Sequence, residues 1–116
     1  EIFRRDTLTK YIISIDKFVE EIDSLLADIQ KNLLEKALKF RKENTFITDD
    51  YSEFKKLIRS GGFVLAHWDG SVDSEEIIKK ETKATIRCIP EENPEEGKCI
   101  VSGKKSTKRV VFAKAY

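Results

Sequence analysis

The chain has 116 residues and a formal net charge of +1, with 40% hydrophobic and 37% charged residues. This length suits one ordinary domain, or a small domain with an attached helix. No run approaches the roughly 20 apolar residues that a membrane-spanning helix needs, so we expect no membrane segment. Two cysteines without a secretory signal predict reduced thiols and a cytoplasmic location. Because the chain starts at Glu1 and contains no methionine, we expect a fragment of a longer protein.

Charge is distributed unevenly along the chain. Residues 69–96 carry nine acidic and four basic groups, whereas residues 97–116 carry six basic groups and no acid. Such a basic tail is compatible with RNA phosphates. Opposite charges that follow each other in sequence also neutralise one another locally, and we favour that interpretation.

The first third of the chain predicts a short extended segment followed by a long helix. Residues 1–6 and 11–15 have an extended, apolar character, and from residue 16 to residue 43 apolar residues recur at steps of three and four. Ser14 or Asp16 can cap the first turn. A helix of this length measures roughly 40 Å, so part of its apolar face should pack on another domain. A coiled coil is the alternative, but Asn32 and Lys36 fall where its seam requires apolar residues.

The remaining residues predict short helices and strands. Asp50 and Glu53 have the spacing of a capping box for a helix that ends at the glycine pair 61–62, and Asp73 and Glu76 repeat that spacing for a helix to about residue 82. Strands are predicted at residues 63–68, 84–89, 98–101 and 108–113, the last two joined as a hairpin. The expected fold class is α+β, with the long helix feeding a small, largely antiparallel sheet.

Few residues have the character of catalytic or RNA-binding groups. The one histidine, His67, lies in an apolar stretch, which favours a packed ring over a catalytic Cys–His pair. Arg4 and Arg5 are candidates for RNA contact, and a salt bridge within the protein is an equal alternative. Trp68, Phe112 and Tyr116 could stack on bases, although core packing is favoured for Trp68 and Phe112. No glycine-rich phosphate-binding loop is present.

Six segments, taken in chain order, carry a family resemblance: Arg4-Arg5-Asp6-Thr7, Asp28-Ile29-Gln30, Gly62-Phe63-Val64-Leu65-Ala66-His67-Trp68-Asp69-Gly70, Glu81-Thr82-Lys83-Ala84-Thr85-Ile86-Arg87-Cys88-Ile89-Pro90, Gly97-Lys98-Cys99-Ile100 and Phe112-Ala113-Lys114-Ala115-Tyr116. Together they resemble the C-terminal region of prolyl-tRNA synthetases of the archaeal and eukaryotic type, which many bacteria also carry. The resemblance covers nearly the whole chain and does not depend on any single motif.

The resemblance implies a division of the chain and a role for it. Residues 1–10 would be the tail end of the anticodon-binding domain, residues 11–43 a connector with the long amphipathic helix, and residues 44–116 the zinc-binding-like C-terminal α+β domain. The parent would be a homodimeric class II ligase that uses ATP and magnesium to join proline to tRNA(Pro). The catalytic motifs of that family lie upstream, so this chain alone is expected to be inert. The terminal residue, Tyr116, is expected to point toward the active site.

The resemblance also raises the question of zinc, because some members of the family hold one zinc ion with four cysteines in this domain. This chain has Cys88 and Cys99, and Ser102 stands where the partner of Cys99 would be. A structural zinc ion normally requires four ligands. Mobile carboxylates would complete such a site poorly, so we expect no zinc; the candidates are Glu91, Glu92, Glu95 and Glu96.

Two other functions remain open on the sequence. The basic residues 97–116 would suit an independent RNA-binding module. The apolar face of the long helix would suit a helix-mediated dimerisation domain.

Overall fold

The computed structural model describes residues 1–91 and 94–115. The chain forms two compact units, Glu1–Lys42 and Glu43–Tyr116, and each is described by itself.

The first unit is a β-hairpin and a long helix. Strands β1 (Ile2–Arg4) and β2 (Thr9–Tyr11) pair antiparallel, and helix α1 runs from Ile15 to Glu43. Ser14 caps this helix, since its carbonyl accepts from the Phe18 amide and its hydroxyl from the Lys17 amide. The two polar residues that break the coiled-coil seam both bind the hairpin, because Asn32 and Lys36 donate to Asp6. Their position in the apolar pattern is therefore explained by contacts within this unit.

The second unit is built on a four-stranded sheet. Its strands are β3 (Thr45–Ile47), β4 (Phe63–His67), β5 (Ala84–Cys88) and β8 (Arg109–Lys114), in the order β3-β4-β8-β5. The pair β3 and β4 is parallel, and the other two pairs are antiparallel, with a bulge in β5 between Ile86 and Cys88. Two further strands of two residues each, β6 (Gly97–Lys98) and β7 (Lys105–Ser106), form a separate antiparallel pair.

Two helices cover one face of this sheet. Helix α2 spans Tyr51–Ser60 and helix α3 spans Val72–Thr82. Alternate residues of the strands point toward them, as the period of two in a β-strand requires. The core has no contact with solvent at most of its positions: Phe54, Ile58, Val64, Ala66, Ile78, Ala84, Val110 and Phe112. Phe54 and Phe112 meet edge to face at 5.3 Å between ring centroids. The predicted α+β fold class with its largely antiparallel sheet is confirmed.

Two local predictions were wrong. Residues 98–101 do not form a hairpin with residues 108–113; the strand at Gly97 and Lys98 pairs with Lys105 and Ser106, while β8 lies between β4 and β5. The long apolar strand β8 is buried on both sides by strand partners, which outweighs local hairpin pairing. The cap of α3 is also not Asp73 but Ser71, whose hydroxyl accepts from the Ser74 amide. Asp73 instead lies in the first turn, where a negative charge is favourable.

Candidate functional site

Two of the zinc-site positions considered above, Cys99 and Ser102, lie in a tight turn at residues 99–103. The Gly103 amide donates to the Cys99 carbonyl at 2.9 Å, and Gly103 adopts a positive φ of 70°, which glycine tolerates without strain. The Cys99 side chain is buried, with 3% of its surface exposed. Burial would raise the pKa of the Cys99 thiol, but hydrogen bonds from Ser102 and from the backbone at Val101 and Asp69 lower it below its usual value.

The Ser102 hydroxyl is not available to bind a metal ion, because it is hydrogen-bonded to a carboxylate. Its hydroxyl donates to Asp69 Oδ2 at 2.5 Å. The other oxygen of Asp69 accepts from the Ser71 amide at 3.0 Å and from the Ser71 and Ser74 hydroxyls at 2.7 Å each. Asp69 therefore joins the 99–103 turn to the start of helix α3. We call these four side chains, Asp69, Ser71, Ser74 and Ser102, the Asp69 network.

The network favours the ionised form of Asp69. Burial raises the pKa of this carboxyl, and the hydrogen bonds from Ser102, Ser74 and Ser71 together outweigh that effect and hold the pKa well below its usual range. A carboxylate with several donors is a satisfied structural group rather than an open ligand.

The described residues do not fit a tetrahedral zinc site. Cys88 is exposed at the end of β5, whereas Cys99 is buried. Within residues 1–91 and 94–115, no group of three or more His, Cys, Asp and Glu side chains is placed to hold a metal ion. Two thiols and a hydroxyl already bound to Asp69 fall short of the four ligands that structural zinc needs. Of the carboxylates considered above, Glu92 lies outside the described residues, and the absence of zinc stays a prediction.

His67 is packed and hydrogen-bonded. Its ring has 2% of its surface exposed, and its Nδ1 atom lies 3.1 Å from Ser106 Oγ. The Ser106 hydroxyl donates to the Lys108 carbonyl, so Nδ1–H is the donor to Ser106. Gly97 packs closely against the His67 ring, and a Cβ atom at this position would overlap the ring. A serine whose proton is already given to a carbonyl, beside a ring without solvent access, lacks the geometry of a nucleophile and base.

Arg109 connects three segments of the second unit. Its guanidinium binds Glu95 through Nε and Nη2, each at 2.9 Å, and Asp49 through Nη1 at 2.8 Å. It also donates to the Thr48 carbonyl at 3.2 Å. Arg109 and Glu95 belong to the basic and acidic segments that we expected to neutralise each other, and Lys105 pairs with Glu96 in the same way. At these contacts, the local neutralisation favoured above takes place.

Arg4 and Arg5 have different surroundings. Arg4 is bound by Asp6 through Nε and Nη2, at 3.1 and 2.6 Å, and by Asp28 at 2.7 Å. These bonds raise the pKa of Arg4 and lower that of Asp6. Arg5 is exposed and lines an open groove of about 620 Å³ beside Lys36 and Lys39. RNA contact therefore remains a prediction for both, with the better access at Arg5.

The three aromatic candidates for base stacking also have different surroundings. Phe112 is fully buried in the core, and Trp68 packs against that core while its Nε1–H donates to the Ser71 carbonyl at 3.1 Å. Phe112 therefore has no face available for stacking on a base, whereas Trp68 is half-buried and base stacking stays a prediction for it. Tyr116 lies outside the described residues, so its predicted direction stays a prediction.

Three residues of this region were not identified from the sequence: Asp69, Gly97 and Arg109. Asp69 appeared only within a segment of the family resemblance, although serines two and five positions later could have indicated a shared acceptor. The contacts of Gly97 with His67 and of Arg109 with Asp49 join residues far apart in sequence, and no local pattern announces them.

Comparison with known proteins identifies a family model and relatives that are similar to this chain. A family model described as "Prolyl-tRNA synthetase, C-terminal" matches residues 51–116. The proline–tRNA ligase of Porphyromonas gingivalis is 57% identical over 117 residues, and that of Phocaeicola vulgatus is 52% identical over 120 residues. Each match covers 100% of this chain and 24% of the relative. The chain thus spans about a quarter of the length of these relatives.

A solved structure agrees. The prolyl-tRNA synthetase of Cryptosporidium parvum, complexed with halofuginone and AMPPNP, matches with a TM-score of 0.82 and 31% identity, over 94% of this chain and 24% of that one. Among the described helices, none is long and apolar enough to span a membrane. The resemblance drawn from the sequence is confirmed: the chain belongs to the prolyl-tRNA synthetase family, as the C-terminal region of such a protein.

Proposed function

We propose that this chain is the non-catalytic C-terminal region of a proline–tRNA ligase. The whole polypeptide would join proline to tRNA(Pro) with ATP and magnesium, as a cytoplasmic homodimer. The observation that carries this proposal is the match to relatives named proline–tRNA ligase along the entire chain, at 57% identity. Because the match covers 24% of the relative, the activity belongs to the longer polypeptide.

The polar groups of the described residues support a structural role. The side chains of Asp69, His67 and Arg109 all form hydrogen bonds to other residues of the second unit. Cys99, the thiol with the lowered pKa, has no open access to solvent. A group that serves as nucleophile or base must reach a substrate, which these side chains do not. We infer that the region acts by fixing the relative placement of the catalytic and anticodon-binding domains.

Within this function, we keep the division of the chain that the resemblance implies. Residues 1–10 would end the anticodon-binding domain, residues 11–43 would connect, and residues 44–116 would form the C-terminal domain. Arg5 is exposed and is the better candidate for RNA contact, since Arg4 is held by two carboxylates. Tyr116 would direct the terminus of the chain toward the active site.

Aminoacylation with proline tests the proposal. The full-length polypeptide should charge tRNA(Pro), and the 116-residue chain alone should not. Removing Tyr116 from the full-length polypeptide should lower the rate without unfolding it. A full-length polypeptide that charges tRNA with another amino acid, or not at all, would contradict the proposed function. An unchanged rate after removal of Tyr116 would contradict the role of the terminus alone.

Two alternative functions have direct tests. An independent RNA-binding module would bind tRNA as the isolated chain, with an affinity that falls steeply as salt rises. Two of the basic residues expected to serve such a module, Lys105 and Arg109, are paired with Glu96 and Glu95, which argues against it. A dimerisation domain would sediment as a dimer. We expect the isolated chain to bind tRNA weakly and to sediment as a monomer.

A further inference from the structure

A groove of the second unit lies beside the ends of β4 and β5 and the turn before β8. It measures about 420 Å³, and its lining includes the side chains of Trp68, Ile89, Lys105 and Lys108. The Trp68 ring packs on the core, and its Nε1–H donates to the Ser71 carbonyl at 3.1 Å, so the ring is held in place. Ile89 is 46% exposed. This groove is called the Trp68 groove.

Lysines are concentrated at this groove. Strands β6 and β7 place Lys98 directly opposite Lys105, so the two side chains lie on the same face. Like charges opposite each other destabilise a strand pair, and a bound anion would relieve that repulsion. In the part of the chain that the structure describes, neither Lys98 nor Lys108 forms an ion pair. Lys105 binds Glu96 at 3.2 Å, but both side chains are more than 70% exposed, so this ion pair is weak.

The acidic residue among the described lining residues is already bound by other groups. Asp69 accepts from Ser71 and Ser74 at one oxygen and from Ser102 at the other. It therefore does not compete for the lysines. The Trp68 groove combines a fixed indole ring, an exposed aliphatic side chain and lysine ammonium groups, and sites for single-stranded nucleic acid pair such a ring with the base and such cations with the phosphate.

We propose that the Trp68 groove binds one unpaired nucleotide of an RNA strand. The base stacks on the Trp68 indole beside Ile89, and the phosphate lies against Lys105 and Lys108. The choice of RNA rests on the proposed function, because such a ligase acts on tRNA. An acidic peptide is the less suitable occupant, since it would use the lysines and leave the indole without a stacking partner. One nucleotide makes few contacts, which agrees with the weak tRNA binding expected of the isolated chain.

Fluorescence measures this binding directly, because Trp68 is the only tryptophan of the chain. A single-stranded RNA of six adenosines, added to the 116-residue chain, should quench the indole emission as a base stacks on the ring. The affinity should fall about sevenfold as the salt concentration rises from about 50 to about 200 mM, because two phosphate contacts with a single strand give that dependence.

A substitution in the groove should weaken this binding. Ile89→Glu brings a negative charge next to the bound phosphate and base, so we expect the affinity to fall roughly tenfold or more. Ile77→Glu on helix α3 is the matched control, since the two side chains are 46% and 42% exposed, and it should bind RNA like the parent chain. Urea unfolding checks that both variants are folded.

Removal of the lysines provides a second measurement if Ile89→Glu fails to fold. Lys105→Ala with Lys108→Ala should remove most of the salt dependence, because these ammonium groups contact the phosphate. Lys56→Ala with Lys80→Ala, exposed on the helices, should leave both the affinity and its salt dependence unchanged.

The possible results separate the occupants. The absence of quenching by RNA, or equal affinities for the parent chain and a folded Ile89→Glu variant, would overturn the proposal. Equal quenching by a peptide of six glutamates would assign the groove to an acidic partner and would overturn it as well. Aminoacylation by the full-length polypeptide is measured alongside: a polypeptide that charges proline while its Trp68 groove binds no RNA would retain the proposed function and lose this inference.

Discussion

Replacement of Asp69 by asparagine tests how much the Asp69 network stabilises the second unit. The carboxylate accepts from the Ser71 amide and from three hydroxyls, those of Ser71, Ser74 and Ser102. Asn keeps the shape and one acceptor oxygen. Its amide nitrogen, however, can only donate, so it would face hydroxyls that now give their protons to Asp69.

The magnitude follows from the type of bond lost. A hydrogen bond to a charged group contributes about 1.5–3 kcal/mol, and a partly exposed group gives the lower part of that range. We therefore expect Asp69→Asn to lower the free energy of unfolding by about 2 kcal/mol. For a unit of this size, each kcal/mol shifts the Tm by roughly 4–8 °C, so the Tm should fall by about 10 °C.

Urea unfolding followed by circular dichroism measures this free energy, and its pH dependence identifies the carboxylate as the cause. The pKa of Asp69 is lowered in the folded state, so its contribution is complete above the ordinary aspartate value of about 4. The contribution is lost as the pH falls toward the folded-state pKa. The difference between the parent chain and Asp69→Asn should therefore shrink steadily below about pH 4.

Asp73→Asn is the matched control. It removes a neighbouring exposed carboxylate in the first turn of α3 that lies outside the Asp69 network. Its cost should stay within about 0.5 kcal/mol, the size of a helix-dipole effect at an exposed site. Equal costs for both variants, or a cost of Asp69→Asn that does not change with pH, would refute the reasoning.

Three further predictions follow from the described contacts. Phe54→Ala should cost about 3–5 kcal/mol in urea unfolding, because its ring has no exposed surface and packs on Phe112; a cost near 1 kcal/mol would contradict a core position. Gly97→Ala should cost about 1–3 kcal/mol, since the new methyl group would overlap the His67 ring, and the His67 resonances should shift in NMR spectra. Treatment with a chelator should leave the Tm unchanged and release no zinc by mass spectrometry, whereas a lowered Tm together with released zinc would contradict the absence of a bound metal ion.

The fold could be predicted largely from short-range patterns. The spacing of Asp50 and Glu53 located the start of α2, and the structure shows Asp50 Oδ1 accepting from the Glu53 amide at 2.6 Å. The three- and four-residue apolar period located α1 almost to its ends. Both signals depend on residues within one or two turns of each other, where sequence distance and spatial distance agree.

Strand pairing could not be predicted in the same way. The turn at residues 102–106 suggested a hairpin between its two flanks, but β8 is instead buried between β4 and β5. The segment Val110–Ala113 is apolar throughout. Between two neighbouring strands it pairs its backbone on both edges and buries more apolar surface than it would as one strand of a hairpin. That gain depends on long-range contacts, which local turn signals do not contain.

At the candidate site, too, local features could be predicted from the sequence and long-range contacts could not. Cys99 and Ser102 were found from the sequence because the family resemblance marks their positions, and the deficit of ligands followed from counting. The hydrogen bond that Ser102 forms in place of a metal contact could not be predicted from the sequence. Asp69 and Ser102 lie 33 positions apart, and their bond is visible only in the folded chain.

Removal of this chain from the full-length polypeptide tests the central claim most directly. The measurement is kcat/KM for aminoacylation of tRNA(Pro) with proline, for the full-length polypeptide, for a version ending before Glu1 and for the 116-residue chain alone. If the chain acts by placing the other domains, the shortened version should stay folded and lose most of its activity, and the chain alone should have none. Full activity without the chain, or charging by the chain alone, would contradict the account.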